Sequence, residues 1–596
     1  MKLKRNPGLV ALPLLVTLGV VGGVFIGRYI TRRTLSTQEE KLRTVLRLID
    51  SEYVDRIDVD SLIEASLPDL LGSLDPHSAY IPASDLEAVN DDLQGSFSGV
   101  GVSFQILNDT VNVIEVIPGG PAEKVGILPG DRIIQADTVT LAGKNITNED
   151  VFKTLRGQKG TTVELVIKRS NSSKPLNFDV VRGDIPVNSV DCSYMVNDSI
   201  GYLRVTKFAR NTYNEFFTAL SDLKADGAKK FVVDLRGNSG GFMDQAIYMA
   251  NEFLPAGRMI VYTKGRRPEN ETMAISDGHG RFKDSEITVL TNEYSASASE
   301  IFAGAIQDND RGLVIGRRSF GKGLVQNQTE LPDSSAIRLT VARYYTPSGR
   351  SIQKEYTRGK DGKYELDIVD RFTHGEFYNA DSIKFDESKI FSTSNGRTVY
   401  GGGGIMPDIF VPEDTTGYTS YYVNVANNGL IQKFAYSVAD KYRGMLNGVK
   451  SIDRLLKVLP RDNTLLENFV NFAVKNGVPA RWYYINQSRQ LLLGQIKAMI
   501  ARDVLGYPAF IEMLNESDPA VKEAIKALEN GKSPIDIKLE NKKDSLTSYI
   551  DRNDLQLLWL VNDDRELLLT DVTGENELTA ACQSGEINDN QKNEKH

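Results

Sequence analysis

Between Ile200 and Gly316 the chain alternates short β-branched and aromatic runs with segments of helical period. Few folds accept that rhythm. Ile200-Gly-Tyr-Leu-Arg-Val205 reads as a strand; Phe216, Phe217, Leu220 and Leu223 then recur at helical spacing, with Asn211 as cap and Gly227 as stop. Lys230-Phe-Val-Val-Asp234 reads as a buried strand, and Gly237-Asn-Ser-Gly-Gly241 turns into a helix through Ile247, Met249 and Phe253. Ile287-Thr-Val-Leu-Thr291 is a third strand, Ile301, Phe302, Ala305 and Ile306 mark a third helix, and Gly312-Leu-Val-Ile-Gly316 a fourth strand. Repeated β–α alternation predicts an α/β core.

Two turns of that core carry candidate chemistry. Asn292-Glu-Tyr-Ser-Ala-Ser-Ala-Ser-Glu300 opens the third helix with a run of hydroxyl residues, where backbone N–H groups stand free. Downstream, Gly321-Lys-Gly323 delivers one lysine on a tight turn. A serine and a lysine so placed could meet as nucleophile and base. Each half also has a plainer reading. Ser297-Ala-Ser-Glu300 fits a capping box, in which serine and glutamate satisfy orphan N–H donors, and Lys322 fits an ordinary exposed turn. The Gly316-to-Gly323 segment approaches a phosphate-binding loop. It fails because Gly323 has no hydroxyl for magnesium and Leu324-Val-Gln-Asn-Gln reads as a strand rather than a helix.

Taken together, the Ser-Ala-Ser-Ala-Ser-Glu-Ile helix start, Gln307-Asp308 and Phe320-Gly-Lys-Gly-Leu-Val-Gln326 resemble the C-terminal processing peptidases, or tail-specific proteases, a serine–lysine family. Gly201-Tyr-Leu-Arg-Val-Thr-Lys-Phe208, Asp234-Leu-Arg-Gly-Asn-Ser-Gly-Gly241 and Ser73-Leu-Asp-Pro-His-Ser-Ala-Tyr-Ile81 extend the likeness from about Glu40 to Pro412. The resemblance implies a multi-domain α/β protein with a crotonase/ClpP-like β–β–α protease core. Its nucleophile-to-base interval selects Ser297 over Ser295 and Ser299, with Lys322 as the base. It gives Gln326 the task of orienting the lysine, an ordinary polar strand position being the alternative. One oxyanion donor is carried over to Gly240 or Gly241 and the other to the Ala298 N–H. A Gly-Gly turn at a helix start suits that task, because backbone amides can approach a substrate unobstructed. Asp308 matches a family aspartate and is expected to support rather than to react, since an acid at a helix C-terminus is unfavourable to the dipole. Lysine serves as a base only when neutral. Lowering its pKa from about 10.4 to roughly 7–8 costs about 3–5 kcal/mol, so the reading requires a buried Lys322 beside Phe320 and Val325.

Ahead of the core, Phe97-Ser-Gly-Val-Gly-Val-Ser-Phe104 begins a compact β-rich module ending near Lys168. Val113-Ile-Glu-Val-Ile-Pro-Gly-Gly-Pro-Ala-Glu-Lys-Val-Gly-Ile-Leu-Pro-Gly-Asp-Arg-Ile, within it, looks like a PDZ domain. The loop Gly99, Val100, Gly101 and Val102 matches the carboxylate-binding loop of such domains. A glycine-bearing turn can aim N–H groups at a terminal carboxylate while a sheet edge takes the peptide as an added strand. The alternative is that these glycines only permit a tight turn or bulge.

A chain of 596 residues exceeds one core. The expected division is a signal anchor or transmembrane segment over 1–36, N-terminal helices over 37–92, the PDZ domain over 93–170, the protease core over 171–412, a helical domain over 413–540, and a C-terminal region over 541–596 with a disordered tail. In the helical lead-in, Leu42, Val45, Leu46 and Ile49 form one stripe, and His77 follows as a turn hydrogen-bonder; the family's equivalent packs on the protease and can help it dimerise, so a homo-oligomer is allowed. Pro7 to Gly27 is charge-free, apolar and long enough to cross a bilayer. An uncleaved signal anchor is expected over a removed signal peptide, with Gly22, Gly23 and Gly27 the only cleavage candidates. The catalytic part is then expected in the periplasm or extracytoplasmic space, anchored to the inner membrane of a cell envelope.

A net charge of −9 gives no footprint for nucleic acid. Two cysteines, Cys192 and Cys582, and four histidines make a disulfide framework or a clustered metal site improbable, and no cofactor is expected. The expected function is a serine endopeptidase that captures proteins by a free C-terminus and cuts upstream. The alternatives are a non-catalytic PDZ adaptor on a protease-like scaffold and acyl-CoA chemistry on a crotonase-like core.

Overall fold

A computed structural model describes residues 37–537, apart from 108, 144–145, 170–171 and 360–361. The stretch Pro7 to Gly27, read above as an anchor, lies outside the described residues, as does the tail from 541. Among the described residues no helix is long and apolar enough to cross a membrane.

The β–α alternation becomes a six-stranded sheet. Its order is Val190–Met195, Ile200–Val205, Lys230–Asp234, Glu286–Thr291, Leu313–Gly316 and Ile409–Phe410. The first pair is antiparallel and every other pair parallel. Parallel strands need crossovers, and helices Thr212–Ala225, Met243–Asn251 and Ala298–Asp308 accompany the strands in sequence. Helices can cover such a sheet only if the strands are apolar nearly throughout. Leu203, Phe231, Val233, Val289 and Val314 are accordingly buried with Phe216, Phe253 and Phe302 in one core.

A second sheet is antiparallel. Leu324–Glu330, which follows Lys322, pairs with Ala336–Tyr345, and that strand also pairs with Ala79–Ile81 and Met259–Gly265. The segment before Ala79–Ile81 is stitched by Asp75, which accepts from His77 N–H (2.9 Å), Ser78 N–H (2.9 Å) and Thr340 Oγ1 (3.0 Å). His77 does not bond within the turn through its ring; Nε2 lies 2.6 Å from the Tyr364 hydroxyl. Burial, then the charge of Lys322, pushes its pKa down to about 4. The unfolded chain therefore takes up this proton first as pH falls. Stability is lost between about pH 6.5 and 4, by up to about 3 kcal/mol. Urea unfolding of wild type and His77→Gln should diverge by that amount between pH 7 and 4, and parallel curves would contradict it.

The β-rich module is a sheet of Val102–Leu107, Thr110–Val116, Arg132–Ala136, Thr162–Lys168 and Leu176–Val181, with Val139–Thr140 beside Arg132–Ala136. Its end differs from the boundary expected at 170. Leu176–Val181 pairs with Thr162–Lys168, and Gly183–Pro186 pairs with Ser96–Gly99, so the module runs to Pro186. The Ser/Asn/Lys/Pro stretch before Leu176 joins two strands of one hairpin, because residues that suit a linker suit a turn equally.

Helix Thr37–Glu52 buries none of its residues fully; of its stripe, Leu42 and Val45 are exposed and Leu46 and Ile49 half-buried. Beyond the core, helices from Ser420–Asn427 to Tyr507–Asn515 form a domain around Phe434, Leu465, Phe469, Leu492 and Ile496, and helix Pro519–Glu529, which follows it, packs on the strands Lys230–Asp234, Glu286–Thr291 and Leu313–Gly316 of the central sheet. The domain touches the module through Gln105 to Gln432 (2.8 Å) and the central sheet through Asn515 to Tyr194 (3.0 Å), and the helix bonds the sheet through Lys230 to the Leu528 carbonyl (2.6 Å).

Candidate active site

Three serines crowd the start of helix Ala298–Asp308, and burial separates them. Ser295 and Ser299 are fully buried and donate to carbonyls, Ser295 to Leu235 (2.8 Å) and Ser299 to Asn238 (2.9 Å). Ser297 is half-buried and lines a cavity of about 1150 Å³. Its backbone has φ 55° and ψ −113°, a conformation that side chains rarely tolerate. Such strain costs about 1–3 kcal/mol and persists only where the surroundings impose it.

Two buried groups impose it. One oxygen of the Glu300 carboxylate, Oε2, accepts from Ser297 N–H (2.8 Å) and from Lys322 N–H (2.9 Å). The Tyr344 hydroxyl lies 3.1 Å from the Ser297 carbonyl and 2.7 Å from that of Lys322. Residues 25 positions apart in sequence are thereby clamped at both their N–H and C=O groups. Glu300 also accepts from Ser319 Oγ (2.5 Å) and Gly321 N–H (2.7 Å), so the capping glutamate anchors the whole lysine loop. The Gly401–Gly404 run closes against this loop. Gly404 donates to the Ile352 carbonyl (2.8 Å), and a Cβ on it would meet the Ser319 carbonyl at 2.6 Å.

Lys322 lines the same cavity, half-buried, with no ion pair among the described residues. Burial lowers its pKa, helped by Arg338; Glu300 and Asp75 pull the other way. Of the two apolar neighbours expected, Val325 lines the cavity, whereas Phe320 faces Lys354, whose ammonium is 4.0 Å from its ring centroid. Gln326 is also at the cavity, with Nε2 buried and unbonded among the described residues.

The glycine loop lines the cavity beside Ser297. Asn238, fully buried, donates to the Val205 carbonyl (2.8 Å) and accepts from Gly240 N–H (2.8 Å) and, at its own carbonyl, from Ala296 N–H (2.9 Å). Gly240 N–H is therefore occupied. Among the described residues the N–H groups of Gly241 and Ala298 have no acceptor. Gly240 is obligatory for another reason: at φ 103°, a Cβ there would stand 2.7 Å from Ser297 Cβ. Asp308 does not line the cavity. It sits buried at the far end of the helix, paired to Arg350 (2.7 Å) and accepting from Ser348 Oγ (2.7 Å).

In the β-rich module, Val100 is buried and its carbonyl accepts from Ala122 N–H (2.8 Å), while Gly101 has φ 81°. Val102–Leu107 is an edge strand. Sequence reasoning missed Arg156, which bridges to Gly99, stacks 4.4 Å from the Phe97 ring and leaves Nε buried and unbonded among the described residues. It also missed Tyr344 and Asn238, whose partners lie far away in sequence.

The chain is similar to known peptidases and to PDZ domains. The model for peptidase family S41 matches residues 199–360, a PDZ domain model matches residues 113–169, and a family of unknown function matches residues 421–506. A carboxy-terminal-processing protease of Bartonella bacilliformis is 38% identical over 348 residues, covering 56% of this chain and 79% of that protein. A probable CtpA-like serine protease of Staphylococcus aureus (strain N315) is 33% identical over 352 residues, covering 59% and 69%. The solved photosystem II D1 C-terminal processing protease is 29% identical, with a TM-score of 0.31 over 55% of this chain and 93% of that one.

Proposed function

The chain belongs to peptidase family S41 and is a serine-type peptidase with a PDZ domain; on that footing we propose that it holds protein substrates by a free C-terminal tail and cleaves them with Ser297 as nucleophile and Lys322 as base. The observation that carries this reading is the double clamp. Glu300 and Tyr344 each bond the backbones of both residues, whose side chains line one cavity. Neutral Lys322 takes the Ser297 proton as Oγ attacks the peptide carbonyl, and burial favours that neutral form. The oxyanion meets the N–H groups of Gly241 and Ala298, which have no acceptor among the described residues. Gln326, unbonded at Nε2 among the described residues, is available to orient the lysine through its amide. Asp308 is structural.

For the tail, the Val102–Leu107 edge offers strand addition, and the Gly99–Val102 loop with Arg156 beside it offers N–H donors and a positive charge for a carboxylate. The apolar stretch Pro7 to Gly27 supports an envelope-anchored protein with its catalytic part outside the cytoplasm. Release of the full chain from membranes by alkaline carbonate would count against that anchor.

The test of the reading is active-site titration. A fluorophosphonate should label Ser297 alone, faster as pH rises, and Ser297→Ala should neither label nor cleave an unfolded protein such as β-casein. Undiminished cleavage by Ser297→Ala would sink the assignment.

A further inference from the structure

Helix Pro519–Glu529 packs on the central sheet, and its cap reaches the segment leading into the loop that carries the oxyanion donors through a charge. Arg236 lies between Asp234, at the end of its strand, and Gly237-Asn-Ser-Gly-Gly241. Its guanidinium is held by Asp234 through Nε (3.0 Å) and Nη2 (2.7 Å), and Asp234 is buried and bonded by Tyr202 (2.7 Å). The remaining arm, Nη1, donates to Asp518 Oδ2 at 2.7 Å.

Asp518 divides its two oxygens between two tasks. Oδ1 caps helix Pro519–Glu529, accepting from Ala520 N–H (2.9 Å) and Val521 N–H (3.0 Å). Oδ2 is left for Arg236. A cap alone needs one oxygen, and serine supplies it as well as aspartate. Among the described residues the second oxygen bonds only Arg236, while the charge serves both Arg236 and the helix N-terminus.

We propose that Asp518 is a positioning residue for peptide hydrolysis: by completing the grip on Arg236 it fixes the 237–241 loop against Ser297. This inference rests on the reading of Ser297 and the oxyanion loop given above. The loop leaves little tolerance, since Gly240 abuts Ser297 and its neighbours and Gly237 N–H is bonded to Asn292 (2.9 Å). A shift of about 1 Å at such a site can cost about 100-fold in rate. Asp234 still holds Arg236 when Asp518 is gone, so the expected loss is smaller.

The experiment compares steady-state cleavage of an internally quenched peptide with a free C-terminal carboxylate by the full chain and its variants. Asp518→Ser, which keeps the cap and loses the bridge, should lower kcat about tenfold with KM unchanged and the melting temperature nearly so. Asp518→Asn, which keeps the cap and an uncharged bond, should fall between it and wild type; if the serine variant does not fold, this variant decides. Asn515→Ala, which loosens the same interface at Tyr194, should leave kcat unchanged. Wild-type kcat in Asp518→Ser, or in Asp518→Asn where that variant decides, overturns the proposal, and so does an equal loss in Asn515→Ala. Ser297→Ala runs alongside: activity there overturns the parent reading, whereas an inactive Ser297→Ala with a fully active Asp518→Ser overturns the positioning role alone.

Discussion

Lys322→Ala is expected to slow peptide hydrolysis at pH 7 by about 10²–10⁴-fold, the usual contribution of a general base, without weakening the fold. The two halves have one cause. Lys322 is half-buried with no ion pair among the described residues, and burial holds its pKa below the ordinary lysine value. The unfolded chain therefore binds that proton more tightly than the folded protein. At neutral pH the charged side chain subtracts from stability, and truncation removes the penalty. The wild-type rate should rise with pH as the ammonium loses its proton and then level off. In Lys322→Ala the residual rate should lack that ascending limb. Lys322→Arg should be as slow as the alanine variant, because a guanidinium keeps its proton. The measurement is kcat/KM against pH on a quenched peptide, with thermal melting alongside. An alanine variant within tenfold of wild type, or one that keeps the ascending limb, would remove Lys322 from the mechanism.

What the sequence discloses here depends on how local the physics is. The central strands are legible because a sheet covered on both faces leaves nearly unbroken apolar runs, as in Lys230–Asp234. Ser297 is singled out by the interval to Lys322 that the family resemblance supplies, and in the structure it lines the cavity while the serines on either side spend their hydroxyls on carbonyls. The choice between Gly240 and Gly241 is not legible. It turns on the Asn238 side chain, which occupies one N–H and leaves the other. Tyr344 is equally hidden, an aromatic in a strand whose partners are 47 and 22 residues away. The stretch before Leu176 misleads because Ser, Asn, Lys and Pro signal a break in the chain without saying whether the sheet resumes. Asp518 could not be found at all, for nothing in a helix cap indicates where its second oxygen points.

Glu300→Ala is expected to lower the unfolding free energy by about 4 kcal/mol or more and to abolish labelling of Ser297. As half of a capping box this residue would matter by about 1 kcal/mol. Its real environment is different. The carboxylate is fully buried and accepts from four donors: the N–H groups of Ser297, Gly321 and Lys322 and the Ser319 hydroxyl. A buried donor left without an acceptor costs about 1–3 kcal/mol, and four are orphaned together. The strained Ser297 backbone loses one of the contacts that impose it, and the lysine loop loses its link to the helix. Glu300→Gln separates packing from acceptance. It fills the same space, but its amide sets N–H₂ against donors, so activity should fall roughly 100-fold while stability falls less than in the alanine variant. Tyr344→Phe, which releases only the carbonyl half of the clamp, should be milder than either. Urea unfolding together with fluorophosphonate labelling rates decides the matter. A Glu300→Ala protein that unfolds like wild type and still labels at Ser297 would mean that the two turns are held together by something other than this carboxylate.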